Sequence, residues 1–324
     1  MRRREFITLI AGAAVFAPAV ARAQQPMPVI GFLSGQSAEP NATRMLIFRQ
    51  ALKEAGYAEG ENVSIIYRWA DNQLDRLPAM AAELVRRQVA VIVSTSLSQF
   101  AAKAATSTIP IVFSINADPV RLGLVESIAR PGGNMTGATF LTAELVQKRL
   151  DLLRELVPKA VRIAVLVNPT RPDNETELRE LNAAARSHGQ QISVLTAGTA
   201  SEIDAAFATF ERERPDALFV GGDPFFNLRR VQFALLAARY RVPATYSLRD
   251  HPEAGGLMSY GTNVNDTYRQ IGHYVGRILK GAKPAELPVV QSTKFELIIN
   301  AQAARTLGLT VPPSLLSIAD EVIE

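Results

Sequence analysis

The chain has 324 residues, 48% of them hydrophobic and 20% charged, which is enough for two lobes with separate cores and excludes a disordered polypeptide. Of the net charge of +4, the first residues (Arg2, Arg3, Arg4 and Arg22 against Glu5) supply +3, so the body is near neutral and carries no nucleic-acid footprint. There is no cysteine, which excludes disulfides, thiolate metal sites, a cysteine nucleophile and a lipidated cysteine anchor.

The first stretch, MRRREFITLIAGAAVFAPAVARAQQ, has a basic head, an apolar run and Ala21-Arg22-Ala23 before Gln24. That is the layout of an export signal, residues 1–23, removed to leave a mature chain in the periplasm. Arg3-Arg4-Glu5-Phe6-Ile7 also suits twin-arginine export; an ordinary signal with a rich basic head is the alternative.

From Pro28 short β-branched runs alternate with amphipathic ones. Strands are expected at Val29–Leu33, Val63–Arg68, Val89–Val93 and Ile109–Ser114, with helices at Ala42–Ala55, Leu74–Arg87 and from about Leu97 to Ala105. A further helix is expected after Asp118-Pro119. The glycines of ARPGGNMTGATF then read as a loop. After a helix from about Ala143 to Leu156 the alternation restarts, with strands at Arg162–Val167, Gln191–Leu195, Ala217–Val220 and Val242–Tyr246. Helices lie between them, from Glu175, Ser201 and Leu228. GGLMSYGTN is a second break, followed by a helix at Val264–Leu279, strands at Leu287–Val290 and Phe295–Ile299, and a Pro-rich tail from Leu309.

This alternation predicts an α/β fold of two doubly wound parallel-sheet lobes joined by a hinge. Residues 27–138 with about 262–288 would form one lobe, and 139–260 with about 289–324 the other. Each lobe ends a central strand in Asp-Pro, at Asp118-Pro119 and Asp223-Pro224. Such a pair is a ready N-cap and N1, but its recurrence also points to a shared ligand role. Ligands of open parallel sheets sit beyond the carboxyl ends of the strands. The loops there carry Ser34, Thr95, Ser96, Asn168 and Arg171, with Phe225 and Tyr260 close by as aromatic walls. Capping is the bland reading of Ser96, and core packing that of Phe225.

No catalytic constellation emerges. His188, His251 and His273 match no metal spacing, and no G-x-S-x-G, H-E-x-x-H or G-x-G-x-x-G is present. GRILKGAK, at Gly276–Lys283, is a helix ending at Gly281 rather than a phosphate loop. No metal or cofactor is expected.

Several stretches together resemble the bacterial ABC-transporter substrate-binding proteins of the type that includes tryptophan and other aromatic amino-acid binders. They are LKEAGYAEGENV from Leu52, IPIVFSINADPVRLGLV from Ile109, RPGGNMTG from Arg130, ELVPKAVRIAVLVNP from Glu155, GRILKGAKPAELPV from Gly276 and FELIINAQAARTLGL from Phe295. The resemblance implies a type I periplasmic-binding-protein fold, no catalysis, a monomer, and delivery of a small-molecule ligand to an ABC permease, its one link to the membrane. It places ligand contacts at Ser34, Thr95, Ser96, Asp118, Asn168 and Asp223. One departure stands out. Where such proteins often carry a Glu and then Asn-Ser, this chain reads NPTRPDNET, with Arg171 and Asp173. Arg171 is therefore expected to bind a carboxylate, which brings aromatic or branched acids lacking an amine into range. The rivals are a sensor module that presents its ligand to a receptor and an exported α/β enzyme using Asp118 or Asp223.

Overall fold

The computed structural model describes residues 27–140, 145–171 and 174–324. The expected export signal and Asp173 lie outside them. In the first half, strands β1 (Val29–Ser34), β2 (Ser64–Trp69), β3 (Val91–Thr95), β4 (Ile111–Ile115) and β5 (Met135–Thr139) are threaded with helices α1 (Ala42–Glu54), α2 (Leu77–Arg86) and α3 (Gln99–Ala105). In the second, β6 (Arg162–Val167), β7 (Gln191–Thr196), β8 (Ala217–Val220), β9 (Ala244–Tyr246) and β10 (Met258–Thr262) are interleaved with α4 (Val146–Leu156), α5 (Asn174–Ser187), α6 (Ala200–Ala208), α7 (Phe210–Glu213), α8 (Pro224–Leu228), α9 (Arg230–Arg239) and α10 (Asp250–Glu253). The chain closes with α11 (Val264–Leu279), β11 (Val290–Gln291), β12 (Phe295–Asn300), α12 (Ala301–Thr306), α13 (Pro313–Ile318) and β13 (Glu321–Ile323).

These strands form two sheets, ordered β11-β5-β4-β3-β1-β2 and β13-β12-β10-β9-β8-β6-β7. The first is parallel throughout its pairs, and the second is parallel except where β12 runs against β10. Central strands such as VIVST and IVFSI are buried along their whole length, because helices cover both faces. The edge strand QISVLT is mostly exposed and correspondingly polar. The two doubly wound lobes of the sequence reading are thus present. The chain passes between the sheets after β5, between β10 and α11, and between β11 and β12. Helix α11 belongs with the first sheet. Its Val264, Tyr268, Ile271 and Val275 share a core with Phe32, Phe48 and Leu52.

Several elements differ from expectation. The two glycine-rich breaks are strands, β5 and β10. A Cβ on Gly137 would lie 2.0 Å from the Phe113 carbonyl oxygen, and one on Gly261 would lie 1.8 Å from that of Ser247. Glycine is needed there for close backbone approach, and the absent side chains erase the strand pattern. No helix follows Asp118-Pro119. The segment is a series of turns, closed by Gly123 at φ +65°. Of the run at Leu287–Val290, only Val290 pairs, in β11 beside β5. The Pro-rich tail holds α13 and then β13, which extends the second sheet.

Candidate functional site

The carboxyl ends of both sheets face one cleft. From the first lobe come Gln36 after β1, Arg44 on α1, Thr95, Ser96 and Leu97 at the end of β3, Gln99 on α3, and Ser114 to Asn116 at the end of β4. The second lobe contributes Pro224, Asn227 and Leu228 on α8, Leu248 after β9, and Asp250 on α10. Phe140, Val264 and Tyr268 complete the wall where the chain crosses between sheets. The cavity is about 50 Å³. A protein cavity that holds benzene is about 150 Å³, so admitting an aromatic solute calls for the lobes to part.

Local backbone explains much of this placement. Ser96 and Leu97 sit at φ +51° and +70°, a left-handed corner costly for a bulky residue. The corner turns the Ser96 carbonyl onto the Gly35 N–H at 3.1 Å, which ties the ends of β1 and β3 together. Ser34 stands one step behind. It is fully buried, and its Oγ accepts the Gln36 N–H at 3.2 Å. Asp223 is buried and caps α8, accepting the N–H groups of Phe225 and Phe226 at 2.8 and 3.2 Å. Burial pushes its carboxyl above the usual range, against the pull of Asn168, of the capped N–H groups and of Arg171. Asp223 and Asn168 therefore hold from behind the short helix that presents Pro224, Asn227 and Leu228 to the cleft.

Of the residues singled out from sequence, Thr95 and Ser96 line the cleft; Ser34, Asn168 and Asp223 lie behind its lining. Asp118 does not reach it. Its side chain is about a third exposed, accepts the Val120 N–H at 2.8 Å and stands 3.7 Å from Arg121. Arg171 is turned inward onto Glu177 at 2.6 Å. That carboxylate, fully buried, also meets Arg149 at 3.4 Å. The Arg149 guanidinium lies 3.8 Å above the Phe219 ring, and its burial lowers its pKa to about 10. Phe225 packs on Phe226 beneath Arg229, and Tyr260 packs on Phe295. Neither Phe225 nor Tyr260 belongs to the lining.

Sequence reasoning missed the charged part of the site. Arg44 and Asp250 meet across the cleft at 2.7 Å, and both are buried. Burial alone would raise the Asp250 carboxyl; Arg44 more than offsets this and holds it at about 2. The Arg44 guanidinium stands 5.9 Å from the centre of the Tyr268 ring. Around the pair, Gln99 Oε1, Asn116 Nδ2 and Asn227 Oδ1 are buried without a hydrogen-bond partner. Three amide atoms without partners in one cleft, drawn from both lobes, are costly unless a solute meets them. No group of acidic, His or Cys side chains that could hold a metal occurs among the described residues, and none of their helices is long and apolar enough to cross a membrane.

Residues 27–323 match the model of the family described as ABC transporter substrate binding protein. A tyrosine-binding protein of Clostridioides difficile is 26% identical over 264 residues, covering 81% of this chain and 75% of its own. Among solved structures, an ABC domain in complex with L-Trp from Streptococcus pneumonia superposes with a TM-score of 0.80 at 25% identity, over 91% of this chain and 99% of that one. A conserved domain protein from Vibrio cholerae matches with the same score and coverage at 26% identity.

Proposed function

Because the chain belongs to the family of ABC transporter substrate-binding proteins, we propose that it captures an amino acid, or an aromatic or branched carboxylate, in the inter-lobe cleft and hands it to an ABC permease from the periplasm. The observation that carries this reading is the set of unpaired buried amide atoms, of Gln99, Asn116 and Asn227, converging from the two lobes on one cavity. A tyrosine-binding relative and a tryptophan-bound neighbour support the class of solute. Parting of the lobes admits the solute; closure removes water and strengthens each polar contact. In this reading Thr95 and Ser96 touch the ligand, while Ser34, Asn168 and Asp223 position the groups that do.

A thermal-shift screen of amino acids, aryl carboxylates and small peptides, followed by titration calorimetry, tests it. A binder at 100 times its Kd adds about 2.7 kcal/mol to stability by mass action. A folded protein whose Tm moves with none of these solutes would contradict the reading.

A further inference from the structure

The described lining of the cleft contains two charged residues, Arg44 and Asp250, and one comes from each lobe. Both are more than nine-tenths buried, and they face each other at 2.7 Å. We propose that this pair sets the charge type of the solute. A zwitterion is accepted, with its carboxylate on Arg44 and its ammonium on Asp250, whereas a simple acid or a simple amine is refused. The proposal rests on the amino-acid reading of the cleft and narrows it.

The argument is one of charge balance in a water-poor site. Closed, the pair is neutral. A zwitterion brings one charge of each sign, so one ion pair becomes two and the cleft stays neutral. An acid without an amine can take Arg44 only by leaving Asp250 to the weaker pull of Arg230, which makes no ion pair with it, and an amine without a carboxylate leaves Arg44 in the same way to Glu253. The remaining polar groups of the lining, the amides of Gln99, Asn116 and Asn227 among them, offer dipoles and no counter-charge. Arg171 cannot substitute, since its guanidinium is spent on Glu177 at 2.6 Å. Arg44 is also braced for the task. Its second nitrogen donates to Asn41 Oδ1 at 3.3 Å, and Asn41 Nδ2 donates in turn to Gln36 and to the Ser37 carbonyl. The guanidinium can therefore keep its place while Asp250 moves with the other lobe.

Titration calorimetry on the full-length mature protein tests this with two series. One compares L-tryptophan with indole-3-propionate and tryptamine; the other compares L-leucine with 4-methylpentanoate and isopentylamine. The expected result is that at least one amino acid binds about 100-fold tighter than both of its singly charged analogues. Asp250→Asn should shrink the preference over the acid to under about tenfold, and Arg44→Gln should do the same for the amine. An acid or amine binding the native protein as tightly as its amino acid overturns the proposal without any variant. A preference that survives in both folded variants also overturns it. If the amino acids bind without discrimination, the charge rule alone falls. If nothing in either series binds, the amino-acid reading falls and this proposal goes with it.

Discussion

Asp118-Pro119 and Asp223-Pro224 are the same dipeptide at the ends of two central strands, β4 and β8, that are not counterparts, since β8 lies beside β6 as β3 lies beside β1, and they do different work. After Asp118 the chain makes a set of exposed turns that close at Gly123. Asp223 opens α8, whose residues reach into the cleft. The difference lies behind the corners rather than in them. Asp118 has solvent and Arg121 beside it, whereas Asp223 is backed by Asn168 and by the buried cluster of Arg171, Glu177 and Arg149. A capping dipeptide thus becomes part of a site only when its surroundings fix the element it caps.

The sharpest way to break this comparison is to remove the support. Glu177→Ala leaves Arg149 and Arg171 buried without their common partner and should cost about 3–5 kcal/mol in urea denaturation. A loss below about 1 kcal/mol would mean that the cluster does not hold the second lobe's corner. Next, Asp223→Ala removes a buried cap and should cost about 2 kcal/mol and weaken ligand affinity, while Asp118→Ala should cost less than about 1 kcal/mol and leave affinity unchanged. Equal losses at the two positions, or an affinity change at Asp118, would erase the distinction.

The smallest effect concerns pH. The raised carboxyl of Asp223 binds its proton more tightly in the folded than in the unfolded chain. Its contribution to stability is therefore full in acid and declines as pH climbs through the native value. Asp223→Asn keeps a capping oxygen and has no charge to bury, so it should be neutral to slightly stabilising at pH 7 and lose that advantage near pH 4. Melting curves of the two proteins across that range would show a gap that widens with pH; parallel curves would refute the assignment.

Much of the architecture was legible because helix-covered strands such as Val91–Thr95 and Arg162–Val167 must be apolar and β-branched, which leaves a clear pattern. Strands β5 and β10 were not, because the close approach that demands Gly137 and Gly261 removes the side chains from which a strand is recognised. Of the neutral polar part of the site, Thr95 and Ser96 followed from strand ends alone, whereas Gln99 and Asn227, carried on helices, did not. Arg44 and Asp250 did not. Arg44 sits on a helix among residues that read as an ordinary amphipathic face, and its partner is 206 positions away. Asp250 lies one residue beyond the strand-end loop at Ser247-Leu248-Arg249. Arg171 misled for a related reason. A lone guanidinium at a strand end suggests a free anion site, and its answering Glu177 lies on the following helix, six residues on.

Helix α11 and strand β11 complete the first lobe although they are encoded after most of the second. Phe32, Phe48 and Leu52 therefore have no full covering until residue 278 or so has emerged. Neither lobe can finish from a contiguous length of polypeptide, and the many contacts between distant positions slow the search for the native state. During biosynthesis the chain should thus stay incompletely folded until nearly all of it has been made, and shortening it before α11 should leave both the early segment sticky and the crevice unbuilt.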